Sequence, residues 1–91
     1  MKSSTIKFPR GGCPEQKHLK QQVTIFIHRC GYTSLVKACE KVGVEYQLIY
    51  RQLSGYQDLK LSNIEAFVQA LDPTKKIELL NGKPTITNIK G

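Results

Sequence analysis

The sequence has few of the residues that an active site or a metal site needs. Its 91 residues include two histidines and seven carboxylates, and no nucleophile stands at a spacing that suggests a partner base. The three cysteines form no CxxC pair, and neither Cys13 nor Cys30 has zinc-finger or zinc-ribbon spacing to a histidine. Gly11 and Gly12 are not part of a phosphate-binding loop, because the motif GxxxxGK followed by Ser or Thr is absent. We therefore expect no enzyme activity, no metal and no cofactor.

Long apolar segments are also missing. No run approaches the roughly 20 residues that cross a bilayer, and no secretory signal is evident, so we expect an intracellular protein without a membrane partner. No internal repeat or low-complexity segment is evident either. A chain of 91 residues makes one small domain with a modest core, and dimerisation would stabilise it.

Positive charge is concentrated at the two ends of the chain. The net charge is +7, with +5 in residues 1–29, −1 in residues 30–72 and +3 in residues 73–91. This distribution suits basic flanks that grip phosphates around a nearly neutral centre that recognises sequence. The alternative is that the basic ends only aid solubility or bind anionic surfaces without specificity.

The most informative stretch is residues 34–55. Ser34 is a good N-cap for a helix over residues 35–42, because its side-chain oxygen can accept from an N–H of the first turn. The apolar residues of that helix recur at i, i+3, i+4 and i+7, and Gly43 ends it. A second helix is predicted over residues 45–54, ended by Gly55. Two short helices joined by a tight glycine turn indicate a helix-turn-helix.

The second helix of this pair carries an outward face. It consists of Glu45, Tyr46, Gln47, Tyr50, Arg51 and Ser54. Glutamine and arginine pair bidentately with adenine and guanine in the major groove, and Gln47 and Arg51 are one helical turn apart. The alternative is that these are ordinary solvated residues of a surface helix.

The same stretch resembles a known family. Its sequence, ACEKVGVEYQLIYRQLSG, is similar to the pattern LAEKLGVSxxTIxRxxxG that is usual in the Xre/Cro-type repressor family. The match is position by position around Glu40, Lys41, Gly43, Val44, Ile49, Arg51 and Gly55. The LIYRQLSG portion is most similar to a subgroup of antitoxin-like regulators, and the resemblance covers roughly residues 21–80. The chain departs from the pattern at Gln52, where an apolar residue is common, and at Glu45, where Ser or Thr usually caps the helix.

The outward face and the resemblance together imply a sequence-specific DNA-binding regulator. We expect a homodimeric repressor in the cytoplasm of a bacterial or phage-infected cell, recognising a near-palindromic operator in double-stranded DNA through residues 45–54. The residues expected to contact bases are Tyr46, Gln47, Tyr50 and Arg51. The residues expected to hold phosphates are Thr33, Ser34, Lys41, Ser54, Tyr56, Gln57 and Lys60.

Two alternative functions stay open. The first, suggested by the subgroup, is an antitoxin that binds its own operator and also a toxin. The second is a protein-interaction module that kept the fold without DNA binding.

Two further helices flank the central pair. One is predicted from Pro14 to about residue 30, with Cys30 at the end of its buried stripe and His28 on the surface. The other opens at Ser62 with a capping box that uses Glu65, and it ends at Asp72–Pro73.

Both ends of the chain have alternatives. Residues 1–13 are predicted as a short strand at residues 5–8 or as a basic arm, whose Lys2, Lys7 and Arg10 would follow the DNA backbone or enter a minor groove. Residues 74–91 are predicted as a β element around an Asn81–Gly82 hairpin turn, or as a fifth helix over residues 75–80. The β element would pair with the N-terminal strand or with a second subunit.

The fold expected from these elements is mainly α. It is a four- to five-helix bundle with a lambda-repressor-like helix-turn-helix and a short C-terminal β-strand or hairpin. The expected divisions are the arm at 1–13, the DNA-binding domain at 14–73 and the C-terminal β element at 74–91.

Overall fold

The computed structural model describes residues 7–89. The described residues form four helices and four strands, with these bounds: β1 Lys7–Phe8, α1 Pro14–Arg29, α2 Leu35–Val42, α3 Tyr46–Ser54, β2 Leu59–Lys60, α4 Leu61–Leu71, β3 Lys75–Leu80 and β4 Lys83–Asn88. The predicted N-terminal strand lies partly outside the described residues, and Lys2 lies wholly outside them.

The expectation of a mainly α bundle is wrong. About half of the described residues, 53%, are helical, and two antiparallel two-stranded sheets accompany the helices, which makes an α+β fold. One reason is that residues 75–80 form a strand rather than a fifth helix. Asn81 and Gly82 both have positive φ angles, 55° and 77°, as a tight hairpin turn requires, and this turn pairs β3 with β4.

The β3–β4 hairpin packs on α1 and α4, and one outward N–H on each of its edges is bonded to a helix side chain. The N–H of Ile77 donates to Oε2 of Glu65 on α4 at 2.9 Å. On the other edge, the N–H of Ile86 donates to Oε1 of Gln22 on α1 at 3.3 Å, and Pro84 has no N–H to satisfy. Pairing of the hairpin with the N-terminal strand, one of the two predicted alternatives, is wrong, because that strand, β1, pairs with β2.

One apolar core joins the helices and the hairpin. Its buried residues are Leu19, Val23, Phe26, Ile27, Ala38, Cys39, Ile49, Leu53, Leu59, Leu61, Ile64, Phe67, Val68 and Ile77. Because Ile77 belongs to this core, the C-terminal element is part of the same packed unit as the helices. Cys39, one of the apolar residues that recur along the helix over residues 35–42, is buried in this core.

Two local predictions about helix ends are wrong. The fourth helix begins at Leu61 after Lys60, not at Ser62, because Leu61 is buried in the core and Glu65 bonds to β3 instead of capping. Cys30 is exposed, because it lies just beyond the last residue of α1 and outside the buried stripe. His28 is exposed, as predicted.

Candidate nucleic-acid interface

The helix pair α2–α3 is built by local signals. Oγ of Ser34 accepts from the N–H of Lys37 at 3.3 Å and so caps α2. Gly43 takes a left-handed conformation, with φ at 72°, and the N–H of Val44 donates back to the carbonyl of Cys39 at 3.0 Å. Only residues 43–45 separate the two helices. This short turn places α3 at the surface with one side on the core and the other in solvent.

Gln47 and Arg51 lie side by side on the solvent side of α3. Nη2 of Arg51 donates to Oε1 of Gln47 at 3.0 Å, and both side chains are exposed. The contact joins residues one helical turn apart, as i,i+4 pairs on a helix do. It holds an arginine fork and an amide next to each other, and these are the two side-chain groups that pair bidentately with base edges.

Three tyrosines form a row beside this pair. The ring centroids of Tyr46 and Tyr50 are 5.6 Å apart in a stacked arrangement, and those of Tyr50 and Tyr56 are 5.9 Å apart. Nζ of Lys20, on α1, lies 6.0 Å from the Tyr50 ring centroid, at the outer limit of a cation–π contact. The row adds flat amphipathic surface to the exposed side of α3.

These side chains line one open depression on the surface. Its lining residues are Tyr46, Gln47, Tyr50, Arg51, Tyr56 and Gln57. The structure thus brings together all four residues expected to contact bases and two of those expected to hold phosphates. Glu45, at the start of α3, is exposed and makes no side-chain cap.

The remaining phosphate candidates are spread over several places. Thr33 and Ser34 are exposed before α2. Lys41 lines a separate depression with Tyr32 and the last residues of α4. The Ser54 hydroxyl is buried and, within residues 7–89, has no hydrogen-bond partner, so it does not share the exposed face.

Lys60 and two residues of the expected arm lie together. Lys7 is the direct cross-strand neighbour of Lys60 in the β1–β2 pair, and both are exposed. The N–H of Arg10 donates to Oδ1 of Asp58 at 2.9 Å. Residues 7–13 are therefore folded onto the loop after α3, whereas the sequence suggested a separate arm or strand.

A buried amide, which sequence reasoning missed, fastens this arrangement. Oε1 of Gln16 accepts from the N–H groups of Gly12 and Cys13 at 2.9 and 3.2 Å. Its Nε2 donates to the carbonyls of Gln52 and Gln57 at 3.1 and 3.0 Å. Gln16 is fully buried. The sequence signal was a glutamine at the third position of α1, where a capping-box residue reaches back.

Gln52 is also buried, at the position where the Xre/Cro-type pattern usually has an apolar residue. Its Oε1 accepts from the backbone N–H of Lys60 at 2.9 Å, while its Nε2 has no partner among the described residues. The amide thus fixes the start of α4 against the end of α3. An apolar residue at this position would leave the Lys60 N–H without that acceptor.

The described part of the chain has neither a metal cluster nor a membrane span. Within residues 7–89, no three His, Cys, Asp or Glu side chains come together as metal ligands, and no helix has the length and apolarity to cross a bilayer. Comparisons of the chain with family models, with curated proteins and with solved structures each found no match.

Proposed function

We propose that the protein is a sequence-specific DNA-binding transcriptional regulator that inserts α3 into the major groove. The observation that carries the proposal is the exposed Gln47–Arg51 pair, hydrogen-bonded at 3.0 Å on the second helix of a closely joined pair. Helix-turn-helix proteins present their base-contacting side chains from such a second helix. Exposed glutamine and arginine on that helix match adenine and guanine edges.

The surroundings of α3 support the same proposal. The row of Tyr46, Tyr50 and Tyr56 offers apolar ring surface for contact with thymine methyl groups, and its hydroxyls can donate to the phosphates of the DNA backbone. Lys60 lies at the end of the loop after α3, where its ammonium would meet a phosphate. A net charge of +7 favours association with a polyanion.

The regulator would act as a homodimer on a near-palindromic operator. Each chain presents one α3, so reading two half-sites requires two copies whose α3 helices lie about 34 Å apart, one turn of DNA. Repression would follow if the bound dimer blocks access to a promoter.

The experiment compares two alanine variants on a selected DNA fragment and on random DNA. Arg51→Ala should cost about 1–3 kcal/mol on the selected fragment, relax the preference at one base pair and change random binding little. Lys60→Ala should weaken binding to both kinds of DNA by the same factor, because a phosphate contact carries no sequence information. Equal losses on both DNAs for Arg51→Ala would remove that residue from base recognition.

A second candidate is a protein-binding module, and the tyrosine row favours it. Tyrosine is enriched in protein–protein interfaces, and Tyr56 keeps 66% of its surface exposed in this row. The partner could be a toxin, as in an antitoxin pair, or another protein. Tyr56→Ala would then abolish capture of the partner. A module without DNA binding would also show no salt-dependent DNA binding, whereas an antitoxin would bind both its operator and the toxin.

A further inference from the structure

Residues 7–13, which we call the strap, run along the loop that follows α3. The N–H of Gly11 donates to the carbonyl of Gly55 at 2.8 Å, and the N–H of Arg10 donates to Asp58. β1 pairs with β2 at one end of the strap, and Gln16 accepts from its last two N–H groups at the other. The strap is thus held at both ends and in the middle.

The strap gives Lys7 a fixed position opposite Lys60. Phe8 and Leu59 are the other cross-strand pair of this small sheet; Leu59 is fully buried and Phe8 packs against the core. Since successive side chains of a strand point to opposite faces, Lys7 and Lys60 share the solvent face. Directly opposite residues have Cβ atoms about 4.5–5.5 Å apart.

Neither lysine of this pair forms an ion pair within residues 7–89. The ion pair found there joins Lys76 to Glu78, on the hairpin, and no carboxylate comes within ion-pair distance of Lys7 or Lys60. Like charges directly opposite each other destabilise a strand pair, so an anion between them would relieve the repulsion.

The lysine pair also lies next to the α3 surface. Lys60 ends the loop that begins with Tyr56 and Gln57, and these two residues line the depression together with Arg51. When a helix occupies the major groove, the loops at its ends meet the sugar–phosphate backbone.

We propose that Lys7 and Lys60 form a clamp for the phosphodiester backbone of one DNA strand, and that the strap is the fixed element that holds Lys7 in place. The inference rests on the proposed function and extends it with a specific backbone contact. It replaces the idea of a free arm for Lys7, because the strap holds that residue against the loop after α3.

The first test removes each charge in turn and measures the dependence of DNA binding on salt. Lys7→Ala and Lys60→Ala should each reduce the slope of log affinity against log salt by about one, equally on selected and random DNA. Lys76→Ala is the matched control, because it removes the same charge from the hairpin and should leave the slope unchanged. A reduction as large for Lys76→Ala would mean that net charge alone acts, and this would overturn the clamp.

The second test asks whether the strap positions Lys7. In a Gln16→Met background the strap loses its buried anchor, so Lys7→Ala should no longer change the slope, whereas Lys60→Ala should still do so. If Gln16→Met does not fold, Gly55→Ala serves instead, because its Cβ would lie 2.4 Å from the backbone N of Gly12 and would push the strap away without changing any charge. An undiminished effect of Lys7→Ala in the released background would show that Lys7 acts from a free arm and would overturn the strap.

The outcomes separate this inference from the proposed function. If the wild-type protein binds DNA with base preference, and neither Lys7→Ala nor Lys60→Ala changes the affinity or the salt slope, the clamp alone would be overturned. Wild-type protein that binds no DNA would overturn both. Titration with inorganic phosphate, followed through the amide signals of Lys7 and Lys60, tests the other source of phosphate. Saturable binding there, with DNA affinity unaffected by either alanine, would assign the pair to free phosphate.

Discussion

At the scale of single residues, Gln16 is a polar side chain that is fully buried and holds the local structure together through its hydrogen bonds. A primary amide has two acceptor sites on oxygen and two donors on nitrogen, and Gln16 uses all four with backbone groups. Buried polar groups that are fully satisfied hold a local structure in one arrangement. The residue joins the strap, the end of α3 and the loop after it.

Replacing this amide tests that role directly. Gln16→Met keeps the length of the side chain but leaves four backbone groups without partners, so we expect the free energy of unfolding to fall by about 2–4 kcal/mol. The control is Gln21→Met on the same helix, where the side chain is exposed and the change should stay within about 0.5 kcal/mol. Denaturant unfolding of both variants measures the difference, and equal stabilities would contradict the role given to Gln16.

Residue patterns predicted the α2–α3 pair well because its signals are local. Ser34, Gly43 and Gly55 act within one turn of where they stand in the sequence. Only the capping half of the Gln16 contacts is local: its other two partners lie 36 and 41 positions away, and the partner of Gln52 lies 8 positions away, so these contacts could not be found in the same way. Likewise, nothing in the sequence of residues 7–8 identifies residues 59–60 as the strand with which they pair.

At the scale of elements, two left-handed glycines bracket α3 and differ in their surroundings. A Cβ at Gly43 would meet nothing within 4 Å, whereas a Cβ at Gly55 would lie 2.4 Å from the backbone N of Gly12. Gly55 therefore lets the strap approach the end of α3, while Gly43 only ends α2.

This difference leads to a paired prediction. Gly43→Ala should cost about 1 kcal/mol, the strain of a left-handed alanine. Gly55→Ala carries the same strain and also pushes the strap away, so it should cost at least about 1 kcal/mol more. Denaturant unfolding gives both values, with faster amide exchange at Gly11 expected only in Gly55→Ala. Matching losses in the two variants would mean that the close contact with Gly12 contributes nothing.

The turn into β3 is a second element with a measurable signature. Oδ1 of Asp72 accepts from the hydroxyl of Thr74 at 2.6 Å and from its N–H at 3.0 Å. These hydrogen bonds lower the pKa of the Asp72 carboxyl below its ordinary value. The folded protein therefore binds this proton less tightly than the unfolded chain. The stabilisation is present above the ordinary pKa of about 3.9 and is lost as the pH falls through the lowered folded-state value.

We expect Thr74→Val to raise the pKa of Asp72 toward its ordinary value, because the hydroxyl donor is the largest cause of the shift. An NMR titration of the Asp72 carboxyl carbon measures this pKa in both proteins. Thr74→Ser, which keeps the hydroxyl, is the matched control and should leave the pKa low. An unchanged value in Thr74→Val would assign the shift to another group.

At the scale of the whole molecule, the proposed function needs two copies. The described chain measures 33 × 28 × 19 Å and carries one α3. Two half-sites one turn of DNA apart are separated by about 34 Å, so one molecule reaches one half-site only. The expectation of a mainly α fold was also wrong at the scale of the whole molecule. The strand composition of residues 75–88 predicts strands, but it does not specify that the hairpin packs on α1 and α4, because that packing is non-local.

The most direct test of the account is a titration of a DNA fragment selected from genomic DNA against random DNA over a range of salt concentrations. The proposed function predicts a near-palindromic site bound at least about a thousandfold more tightly than random DNA, with affinity falling as salt rises. Equal, salt-sensitive binding to both DNAs would contradict sequence recognition by α3. No binding to either would contradict DNA binding altogether and leave the tyrosine row as a surface for a protein partner.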